Sequence, residues 1–453
     1  MKNISLPRQL REIGKQFEKA GYEVYLVGGA IRNILAGYKP TDYDLASNAL
    51  PQDVIKLFKR VIPTGIKHGT VTILYKGEKY EITTFRSEGK YSDGRHPDSV
   101  SYSNSIFEDL ERRDFTINSI ALNINTNEII DPHNGKNDII NKLVKAIGNA
   151  EERFNEDGLR IIRAFRFVSQ MEYQLDTATY QAIEKTKDRL TFISTERIQE
   201  ELSKLLATRV PSTGLLPMAE SGVMSIILPE LDACRNIGQK GRHKYDVFYH
   251  SLRACDYAPI EKLNVRFAAL LHDIGKPDAK GISDEGEIIF HNHDAISADI
   301  TQDILRRLRL SNVFINSVTH LVRLHMFNYE HNWSDSAVRR FIARVGKEHI
   351  HDLLDLRRAD SSAIEDRVST CPKLFELEDR IEDVLSQDQA ITIRDLAING
   401  HQLSEYASIP KGPQMGKVLD FLLESVIEDP DQNSKDILLE IARNFYHNHL
   451  LQE

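Results

Sequence analysis

Two aspartates at alternate positions, Asp42 and Asp44, follow an apolar run and two glycines in residues 24–48, VYLVGGAIRNILAGYKPTDYDLASN. If the segment around them is extended, its period of two places both carboxylates on one face. Adjacent acids repel one another unless a cation lies between them, and Mg²⁺ prefers a few carboxylates together with substrate phosphates. The pair therefore predicts a magnesium site that serves phosphoryl chemistry. Glu81, in the strand-like segment KYEITTFR, is a candidate third carboxylate, with an exposed strand residue as the alternative.

The two glycines in front of the aspartates suit the binding of phosphate. Gly28 and Gly29 end the apolar run, and their missing Cβ atoms let backbone N–H groups approach a ligand closely. Arg32 lies on the helix predicted to follow. A strand, two glycines and a helix also form an ordinary structural turn, so the neighbouring aspartates decide the interpretation. Together they predict a site in which the glycines hold a nucleoside triphosphate beside its metal ions.

A second group of ligand-type residues occurs in FYHSLRACD, ALLHDIGKP and LRRADSS. His250, the adjacent His272 and Asp273, and Asp360 have the order of an HD-type metal site, a resemblance that covers residues 240–370. Imidazole and carboxylate ligands suit Mg, Mn, Fe, Ni or Zn, so the metal is a divalent transition metal or Mg²⁺. A metal-bound water would make this domain a phosphohydrolase, and the alternative is a helical scaffold with vestigial ligands.

Three further histidines could bind a second ion in this domain, although a histidine on a helix face without metal is the alternative for each. They are His293, His320 and His325.

The elements that must position these residues change in type near residue 145. Short β-rich runs dominate before it, with YKGEKY as the tip of a hairpin, and long stretches of helical periodicity follow. We therefore predict an α+β head followed by an extended all-helical body. The predicted domains are an α+β head (1–145), a helical neck (146–225), an HD-type domain (226–375) and a helical tail (376–453).

Composition limits the class of protein further. The chain has 453 residues, three cysteines, a net charge of −9 and a pI of about 6.0. Widely spaced cysteines argue against a disulfide framework and against a cysteine-built zinc site. The N-terminal segment is typical of an amphipathic helix and the chain has no apolar run of about 18 residues, so we expect a cytoplasmic protein without a signal peptide or membrane span. Because the net charge is negative, any binding site for nucleic acid must be a local basic patch.

Seven linked motifs in residues 20–210 resemble the class II CCA-adding enzymes, the tRNA nucleotidyltransferases related to bacterial poly(A) polymerases. The motifs are LVGGAIRNILAGYKPTDYDLA, TGIKHGTVTI with YEITTFR, YSDGRHPDSV, EDLERRDFTINSIA, DPHNGKNDI, EDGLRIIRAFRF and ERIQEELSKLL. The resemblance implies a polymerase-β-like head in which Asp42 and Asp44 bind Mg²⁺. It also implies that Gly29 and Arg32 contact the incoming nucleotide and that Arg112 and Arg113 lie near it.

In this family, protein side chains rather than a template choose the base. The resemblance assigns this role to Asp157 and Arg160, and the chemistry agrees, because Arg160 offers donors and Asp157 acceptors to the Watson–Crick edge of C or A. Their i,i+3 spacing on a helix would make them neighbours. Arg163 and Arg166 continue the spacing and predict a cationic ridge for a triphosphate.

Two residues depart from the family pattern, and other segments indicate the product. Asn33 stands where an Asp is usual and Ser119 where an Ala is usual, which puts local hydrogen bonding and packing in doubt. The segment from Thr64 resembles the tRNA enzymes rather than the poly(A) polymerases. The loop SEGKYSDGRHPDSVSYSNSIFEDLE is full length, which favours addition of the complete CCA over CC alone. A-only addition stays open.

The implied partners are CTP, ATP and tRNA, whose acceptor and T arms would lie along the helical body without any membrane. Candidate phosphate contacts are Lys204, Arg306, Arg307 and Arg309, each with a solvated face as the alternative. Two other classes remain, a chain that is primarily an HD phosphohydrolase and a non-enzymatic tRNA-binding protein. The intact aspartate pair argues against the second. Oligomeric state is left open.

Overall fold

The structure is a computed structural model that describes residues 4–40, 42–66, 69–88, 100–239, 244–387 and 390–450. The chain divides into two compact units, Met1–Ala233 with Arg307–Arg309, and Cys234–Arg306 with Leu310–Glu453. Residues 89–99 of the loop whose length favours full CCA addition lie outside the described residues. Within the described ranges, no helix combines the length and apolarity needed to cross a bilayer.

The first part of unit 1 is built from short strands and helices. Its elements are α1 Arg8–Lys19, β1 Val24–Val27, α2 Gly28–Leu35, β2 Asp44–Ser47, α3 Pro51–Leu57, β3 Val61–Gly65, β4 Thr70–Tyr75, β5 Glu78–Thr84, β6 Arg86–Glu88, β7 Val100–Tyr102, α4 Ile106–Glu111, a 3₁₀ turn Thr116–Asn118, β8 Ala121–Asn123, β9 Ile129–Ile130 and α5 Gly135–Ile140.

A seven-stranded mixed sheet organises this part, in the order β3-β4-β5-β2-β1-β8-β9. Every neighbouring pair is antiparallel except β2 and β5, which are parallel. All four residues of β1 are buried, which explains its continuous apolar sequence. The predicted hairpin tip is confirmed, because β4 and β5 are joined through Lys76 and Gly77, both at positive φ. The predicted N-terminal amphipathic helix is α1, which buries Leu10, Ile13 and Phe17.

The rest of unit 1 is mainly helical. It contains β10 Leu143–Val144, α6 Ala150–Glu156, α7 Leu159–Met171, β11 Gln174–Leu175, α8 Thr177–Thr186, a 3₁₀ helix Lys187–Phe192, α9 Thr195–Leu206, α10 Ser212–Glu220, α11 Met224–Ile227 and α12 Pro229–Asp232. Helix α7 packs against α9 and α10. Ten of its thirteen residues are buried, so α7 is a central helix of this part, with arginines at its margins.

Unit 2 is helical except for one hairpin of two short strands. It contains α13 Val247–Tyr257, α14 Leu263–Leu271, α15 Lys276–Ala279, β12 Lys280–Ile282, β13 Ile288–Phe290, α16 His293–Arg307, α17 Asn312–Leu324, α18 Asp335–Val345, α19 Ile350–Glu365, α20 Pro372–Ser386, α21 Gly400–Ala407, α22 Pro413–Glu428, α23 Lys435–Phe445, 3₁₀ turns at Ile393–Asp395 and Pro430–Gln432, and a π-helical turn Tyr446–Leu450.

The prediction of an all-helical body is therefore wrong at two places. Strands β12 and β13 form an antiparallel hairpin, and β10 pairs with β11 in parallel. Both pairs have only two or three residues per strand, which is too short for a period-two pattern to emerge from the sequence. The turn of the hairpin contains Gly286 at φ +78°, and this glycine supplies the left-handed residue that the turn needs.

Candidate active site

The turn between β1 and α2 brings the two glycines to the metal-ligand candidates. Gly28 has φ +65°, a left-handed conformation that glycine adopts without strain. A Cβ atom on Gly28 would lie 3.5 Å from Nη1 of Arg113 and 3.8 Å from Oδ2 of Asp44. A Cβ atom on Gly29 would lie 3.6 Å from Nη2 of Arg32. Gly28 therefore permits the turn. Because both glycines lack a Cβ atom, the backbone there stays accessible beside charged side chains.

Two of the three predicted carboxylates, Asp44 and Glu81, lie on neighbouring strands. Asp44 opens β2 and is the register partner of Glu81 on the parallel strand β5, and Asp42 precedes β2 by two residues. Partial desolvation raises the pKa of Asp44 above its usual value, while the Arg113 guanidinium opposes the rise and the charge of Asp42 adds to it. Desolvation and the charge of Asp44 also raise the pKa of Glu81. A divalent cation would stabilise the ionised forms of these crowded acids, so the donor set fits Mg²⁺.

A buried aspartate, which the sequence analysis missed, holds the two arginines of the RRD motif. Asp109 is 1% exposed and accepts hydrogen bonds from Arg112 at 2.7 Å and from Arg113 at 2.9 Å. Burial favours a raised pKa for Asp109, but the two guanidinium groups outweigh it and hold this pKa below its usual range. The i,i+3 and i,i+4 spacing of an acid before two arginines is the signal that could have identified this pairing.

Arg32 is fixed by amide oxygens. It is 4% exposed and donates from Nη1 to Oδ1 of Asn118 at 2.7 Å, and from Nε and Nη2 to Oδ1 of Asn33 at 3.2 and 3.1 Å. Burial, followed by the charges of Arg166 and Arg163, lowers the pKa of Arg32 to about 10. The departure at Asn33 is thus accommodated by a hydrogen bond to the predicted nucleotide contact.

The second departure from the family pattern, Ser119, is fully buried. Its hydroxyl donates to the carbonyl of Leu110 at 2.8 Å, so the additional polar atom has a partner.

The two residues predicted to select the base, Asp157 and Arg160, do not lie on one helix. Helix α6 ends at Glu156, α7 begins at Leu159, and Asp157 between them is extended, with φ −146° and ψ 104°. The reason is local, because the Asp157 carboxylate accepts the N–H of Leu159 at 3.1 Å and so interrupts the helix. Its other contacts are two hydrogen bonds from Arg197 at 3.2 and 2.7 Å. The prediction of a shared helix is therefore wrong, but the two residues are neighbours, because the Arg160 N–H donates to the Asp157 carbonyl at 3.0 Å.

Arg160 is held by a separate set of acceptors. It is 7% exposed and donates to Oε2 of Glu156 at 2.5 Å and to the carbonyls of Arg153 and Arg112, both at 3.1 Å. The contact with Arg112 connects α7 to the RRD motif. Each member of the pair is therefore fixed by other residues before any base arrives, which is the preorganisation that hydrogen-bond readout requires.

The predicted cationic ridge of Arg163 and Arg166 carries two counter-charges. Arg163 donates twice to Oδ2 of Asp114, at 2.8 and 2.6 Å, and Arg166 donates to Glu201 at 2.6 Å. Glu201 also lies 3.6 Å from Arg163. These acids are 49 and 35 residues away along the chain, so helical spacing could not reveal them. The two arginines are therefore not a free cationic ridge, because Asp114 and Glu201 partly neutralise their positive charge.

Replacing Asp114 by alanine is expected to lower the free energy of unfolding by about 3 kcal/mol, because a paired guanidinium loses its acid. Asp114 is 8% exposed and also accepts from Phe115 N–H at 2.8 Å and from Asn118 at 3.0 Å. Burial acts to raise its pKa, but Arg163 and these hydrogen bonds hold the pKa well below its usual range. The stabilisation is therefore present at neutral pH and is lost as the pH falls below about 4.

Urea unfolding at pH 7 and at decreasing pH measures this effect, and the difference between wild type and Asp114→Ala should shrink in acid. The control is Glu200→Ala in the same unit, which removes an exposed partner of Lys204 at 3.8 Å and should leave the unfolding midpoint almost unchanged. Equal losses in the two variants would contradict the assignment.

Unit 2 brings the four HD-type ligands together. His250 Nε2 lies 3.1 Å from Oδ1 of Asp360 and 3.6 Å from Oδ2 of Asp273. His272 Nε2 lies 3.2 Å from Oδ2 of Asp273 and 3.3 Å from Nε2 of His250. All four residues are buried. The donor atoms of His250, His272 and Asp273 lie within 4.8 Å of one another, which is the spacing of a metal-binding group.

Two of the three further histidines join this cluster. Asp273 Oδ1 lies 3.4 Å from Nε2 of His293 and 3.8 Å from Nε2 of His325, and these three residues form a second group of potential ligands. His320 does not take part, because its Nε2 is 2.7 Å from the carbonyl of Val345. Burial, and then the charge of His272, lowers the pKa of His325 to about 4, so this imidazole is neutral at physiological pH.

Backbone carbonyls orient the imidazoles of this cluster. The Nδ1 atoms of His272, His293 and His325 lie 2.9, 2.9 and 2.6 Å from the carbonyls of Ala269, Phe290 and Val322. A carbonyl only accepts, so each Nδ1 carries a proton, and Nε2 is the ring atom through which each of these histidines could bind a metal ion. Nε2 of His325 is buried and without a hydrogen-bond partner in the described structure. This arrangement is typical of histidine metal ligands.

A cavity of about 500 Å³ opens onto the cluster, with cations beside the ligands and an apolar wall. Lys276 donates to Asp273 at 2.6 Å, and Arg357 donates to Asp360 at 2.8 Å. The apolar part of the lining is Ile288, Ile289, Phe290, Met326 and Ile364. The cavity could admit an anionic group to the metal ligands and an apolar group beside it.

Family models match three segments of the chain. Residues 24–145 match the "Poly A polymerase head domain", residues 172–235 match the "Probable RNA and SrmB- binding site of polymerase A", and residues 289–442 match tRNA nucleotidyltransferase domain 2. The first match covers the sheet with the candidate catalytic acids.

Whole-chain comparisons extend this relationship. The CCA-adding enzyme of Streptococcus pyogenes serotype M5 (strain Manfredo) is 31% identical over 433 residues, which cover 94% of this chain and 95% of that enzyme. The Lactobacillus johnsonii enzyme is 32% identical over 431 residues, 94% of each chain.

Solved structures agree with the sequence matches. The Bacillus stearothermophilus CCA-adding enzyme in complex with CTP has a TM-score of 0.74 and 29% identity, and the match covers 97% of this chain and 98% of that one. The Thermotoga maritima CCA-adding enzyme complexed with tRNA shares the fold, with a TM-score of 0.55 and 19% identity over 98% and 97% of the chains. The likeness confirms the predicted nucleotidyltransferase head and helical body. The chain belongs to the family of CCA-adding enzymes, which are tRNA nucleotidyltransferases.

Proposed function

We propose that this CCA-adding enzyme transfers CMP and then AMP from CTP and ATP to the 3′ end of tRNA, with release of pyrophosphate, at the acids beside the Gly28 turn. The observation that carries the proposal is the register of Asp44 with Glu81, next to the glycine turn and Arg113. Asp42 and Asp44, with Glu81 as a third ligand, would hold Mg²⁺. When bound, Mg²⁺ supplies charge stabilisation for the attacking tRNA hydroxyl and the leaving pyrophosphate.

The residues around the acids bind and orient the nucleotide. The backbone at Gly28 and Gly29, with Arg32 and Arg113, holds the triphosphate at a site with few competing side-chain atoms. Asp109 keeps Arg112 and Arg113 in place, so that these donors need not reorganise when charge develops on the phosphate. These are the contacts by which the chain positions the α-phosphate for in-line attack.

Asp157 and Arg160 select the base in this proposal. The Asp157 carboxylate accepts the exocyclic amino group of C or A, and Arg160 donates to the neighbouring ring nitrogen. A uracil presents a carbonyl where cytosine has its amino group, and this carbonyl would face the carboxylate. The pair therefore admits C and A and rejects U without a nucleic-acid template.

Extension of three tRNAs tests the proposal, with 3′ ends that stop before CCA, after C and after CC. With CTP and ATP, we expect stepwise growth of all three to CCA and no further. A-only addition predicts growth of the tRNA that ends in CC alone, and a CC-adding enzyme predicts that growth stops before A. Absence of growth on every substrate would overturn the nucleotidyltransferase proposal.

The tRNA path along the helical part is also a proposal. Each candidate phosphate contact lies beside a carboxylate. Lys204 is 3.5 Å from Glu201, and Arg306 is 4.0 Å from Asp303. Arg307 pairs with Glu230, and Arg309 pairs with Glu196. These pairs weaken the four residues as phosphate contacts. The match of residues 172–235 to an RNA-binding model supports the neck as the binding surface. The substrates are available in the cytoplasm, where we place the reaction.

We also propose that unit 2 carries an HD-type metal site with phosphohydrolase activity. Three observations support it, namely the inward Nε2 atoms, the buried acids Asp273 and Asp360, and the cationic cavity beside them. His250, His272, Asp273 and Asp360 would hold a transition metal or Mg²⁺, with His293 and His325 for a second ion. A bound metal would supply a nucleophilic hydroxide to a phosphate. Lys276 and Arg357 would bind that phosphate. Terminal or cyclic phosphates at RNA 3′ ends are the substrates to try first.

The double variant His272→Ala/Asp273→Asn is expected to lower bound transition metal from about one ion per chain or more to near zero, because two ligands are lost. Elemental analysis of the purified protein measures the metal, and hydrolysis of 2′,3′-cyclic nucleotides measures activity. CCA addition should stay within about two-fold of wild type, since the acids of that reaction lie in unit 1.

The matched control is His320→Ala, in the same unit but bonded to the Val345 carbonyl. Metal retained by the double variant, or lost equally in the control, would contradict the site.

A further inference from the structure

One phenyl ring in unit 1 lies among three guanidinium groups. Phe167 on α7 is 3% exposed, and the distances from its ring centroid to the guanidinium carbons are 5.0 Å for Arg32, 5.5 Å for Arg163 and 4.2 Å for Arg166. A cation within about 6 Å of an aromatic face is attracted by the negative charge of that face. Three such contacts on one ring exceed what packing alone requires of a buried phenylalanine.

These three cations repel one another and are not fully neutralised by their ion-pair partners. Asp114 pairs with Arg163, and Glu201 contacts both Arg163 and Arg166. Arg32 instead donates to the neutral amides of Asn33 and Asn118. Three guanidinium groups against two carboxylates leave one positive charge in the array. The face of a phenyl ring stabilises such an excess without neutralising it, whereas a third carboxylate would remove it.

The array reaches the site of nucleotidyl transfer through Arg32. Nη2 of Arg32 lies 3.6 Å from the Cβ position of Gly29, next to the turn where Arg113 and Asp44 approach Gly28. The other end of the array lies on α7, a helix that also carries Arg160. A group that fixes the array therefore fixes cationic side chains on both α2 and α7.

We propose that Phe167 is a positioning residue for CCA addition, whose ring gathers Arg32, Arg163 and Arg166 so that their excess positive charge faces the triphosphate of the incoming nucleotide. The inference rests on the proposed function of the head. It predicts a role in nucleotide binding that is the same for CTP and ATP, since the triphosphate is common to both. Affinity for tRNA should depend on it little.

Kinetics of Phe167→Leu test the inference, because leucine keeps the residue apolar and removes the ring. We expect kcat/KM for both CTP and ATP to fall by at least about ten-fold, with the KM for tRNA within about two-fold of wild type. The matched control is Phe165→Leu on the same helix. Phe165 is also fully buried, and in the described part of the chain no cation lies over its ring. Equal nucleotide kinetics in the two variants would overturn the proposal, and so would a loss confined to one nucleotide.

Two further substitutions separate the ring face from folding. Phe167→Tyr keeps an aromatic face and should retain most of the wild-type kcat/KM. Incorporation of 3,4,5-trifluorophenylalanine at position 167 preserves the shape but weakens the negative face, and it should raise the KM for CTP and ATP together. Wild-type kinetics with the fluorinated ring would overturn the proposal even if Phe167→Leu fails to fold. An inactive wild-type enzyme would instead refute the proposed function, so the two failures are distinguishable.

Discussion

Asp42→Ala/Asp44→Ala is expected to reduce CMP and AMP addition by about a thousand-fold or more, because the variant removes the carboxylates proposed to hold the divalent ions of the reaction. Asp44 is in register with Glu81 and lies beside Arg113 at the Gly28 turn. Glu81 alone cannot keep the ions in place. Single-turnover extension of a tRNA ending in CC, with ATP in excess, measures the loss directly.

The matched control for this prediction is Glu78→Ala. Glu78 is an exposed acid on β5, the same strand as Glu81, at the hairpin end where it pairs with Tyr75. Its loss should leave addition within about two-fold of wild type, as expected for a surface charge away from the site. Residual activity of a tenth or more in the double aspartate variant would show that the metal ligands have been misassigned.

Local sequence patterns were sufficient to predict those elements of the head that depend only on residues close together in the chain. The apolar run before Gly28 became a fully buried strand, and the glycine took the positive φ that the turn requires. YKGEKY became the hairpin between β4 and β5 because its two central residues can adopt left-handed conformations. Such features depend on neighbours along the chain, so a single sequence contains the necessary information.

Features that depend on distant partners could not be derived in this way. The ridge of Arg163 and Arg166 looked fully cationic because Asp114 and Glu201 belong to other elements. The ion pair of Asp157 with Arg197 was hidden for the same reason, because the two residues are forty positions apart in the chain.

The histidines of unit 2 divide for the same reason. His293 and His325 lie near Asp273, whereas His320 lies against a backbone carbonyl. The residue types indicated metal binding, whereas the tertiary structure determines which of the three histidines lie near the other potential ligands.

Asp157→Asn is expected to lower the preference for CTP over UTP by about a hundred-fold, because the contact with uracil improves while the contact with cytosine weakens. Asparagine can turn its amide NH₂ toward the uracil carbonyl, which the carboxylate repels. For cytosine, asparagine keeps an acceptor oxygen but not the negative charge, so the contact with the amino group weakens. Competition between CTP and UTP for a tRNA that ends before CCA measures the ratio, and the ratio is insensitive to partial loss of folded enzyme.

The contacts of Asp157 determine how this result must be interpreted. Its carboxylate is shared with Arg197 at 2.7 Å, so the substitution also weakens an ion pair that holds the residue in place. Arg197→Ala removes that pair while keeping the carboxylate, and it should lower kcat/KM for CTP and ATP but still exclude UTP. Glu152→Gln, a neutralisation at an exposed position of α6, controls for net charge. If Arg197→Ala admits UTP as readily as Asp157→Asn does, discrimination depends on the shape of the turn. If only Asp157→Asn admits it, the carboxylate itself reads the base.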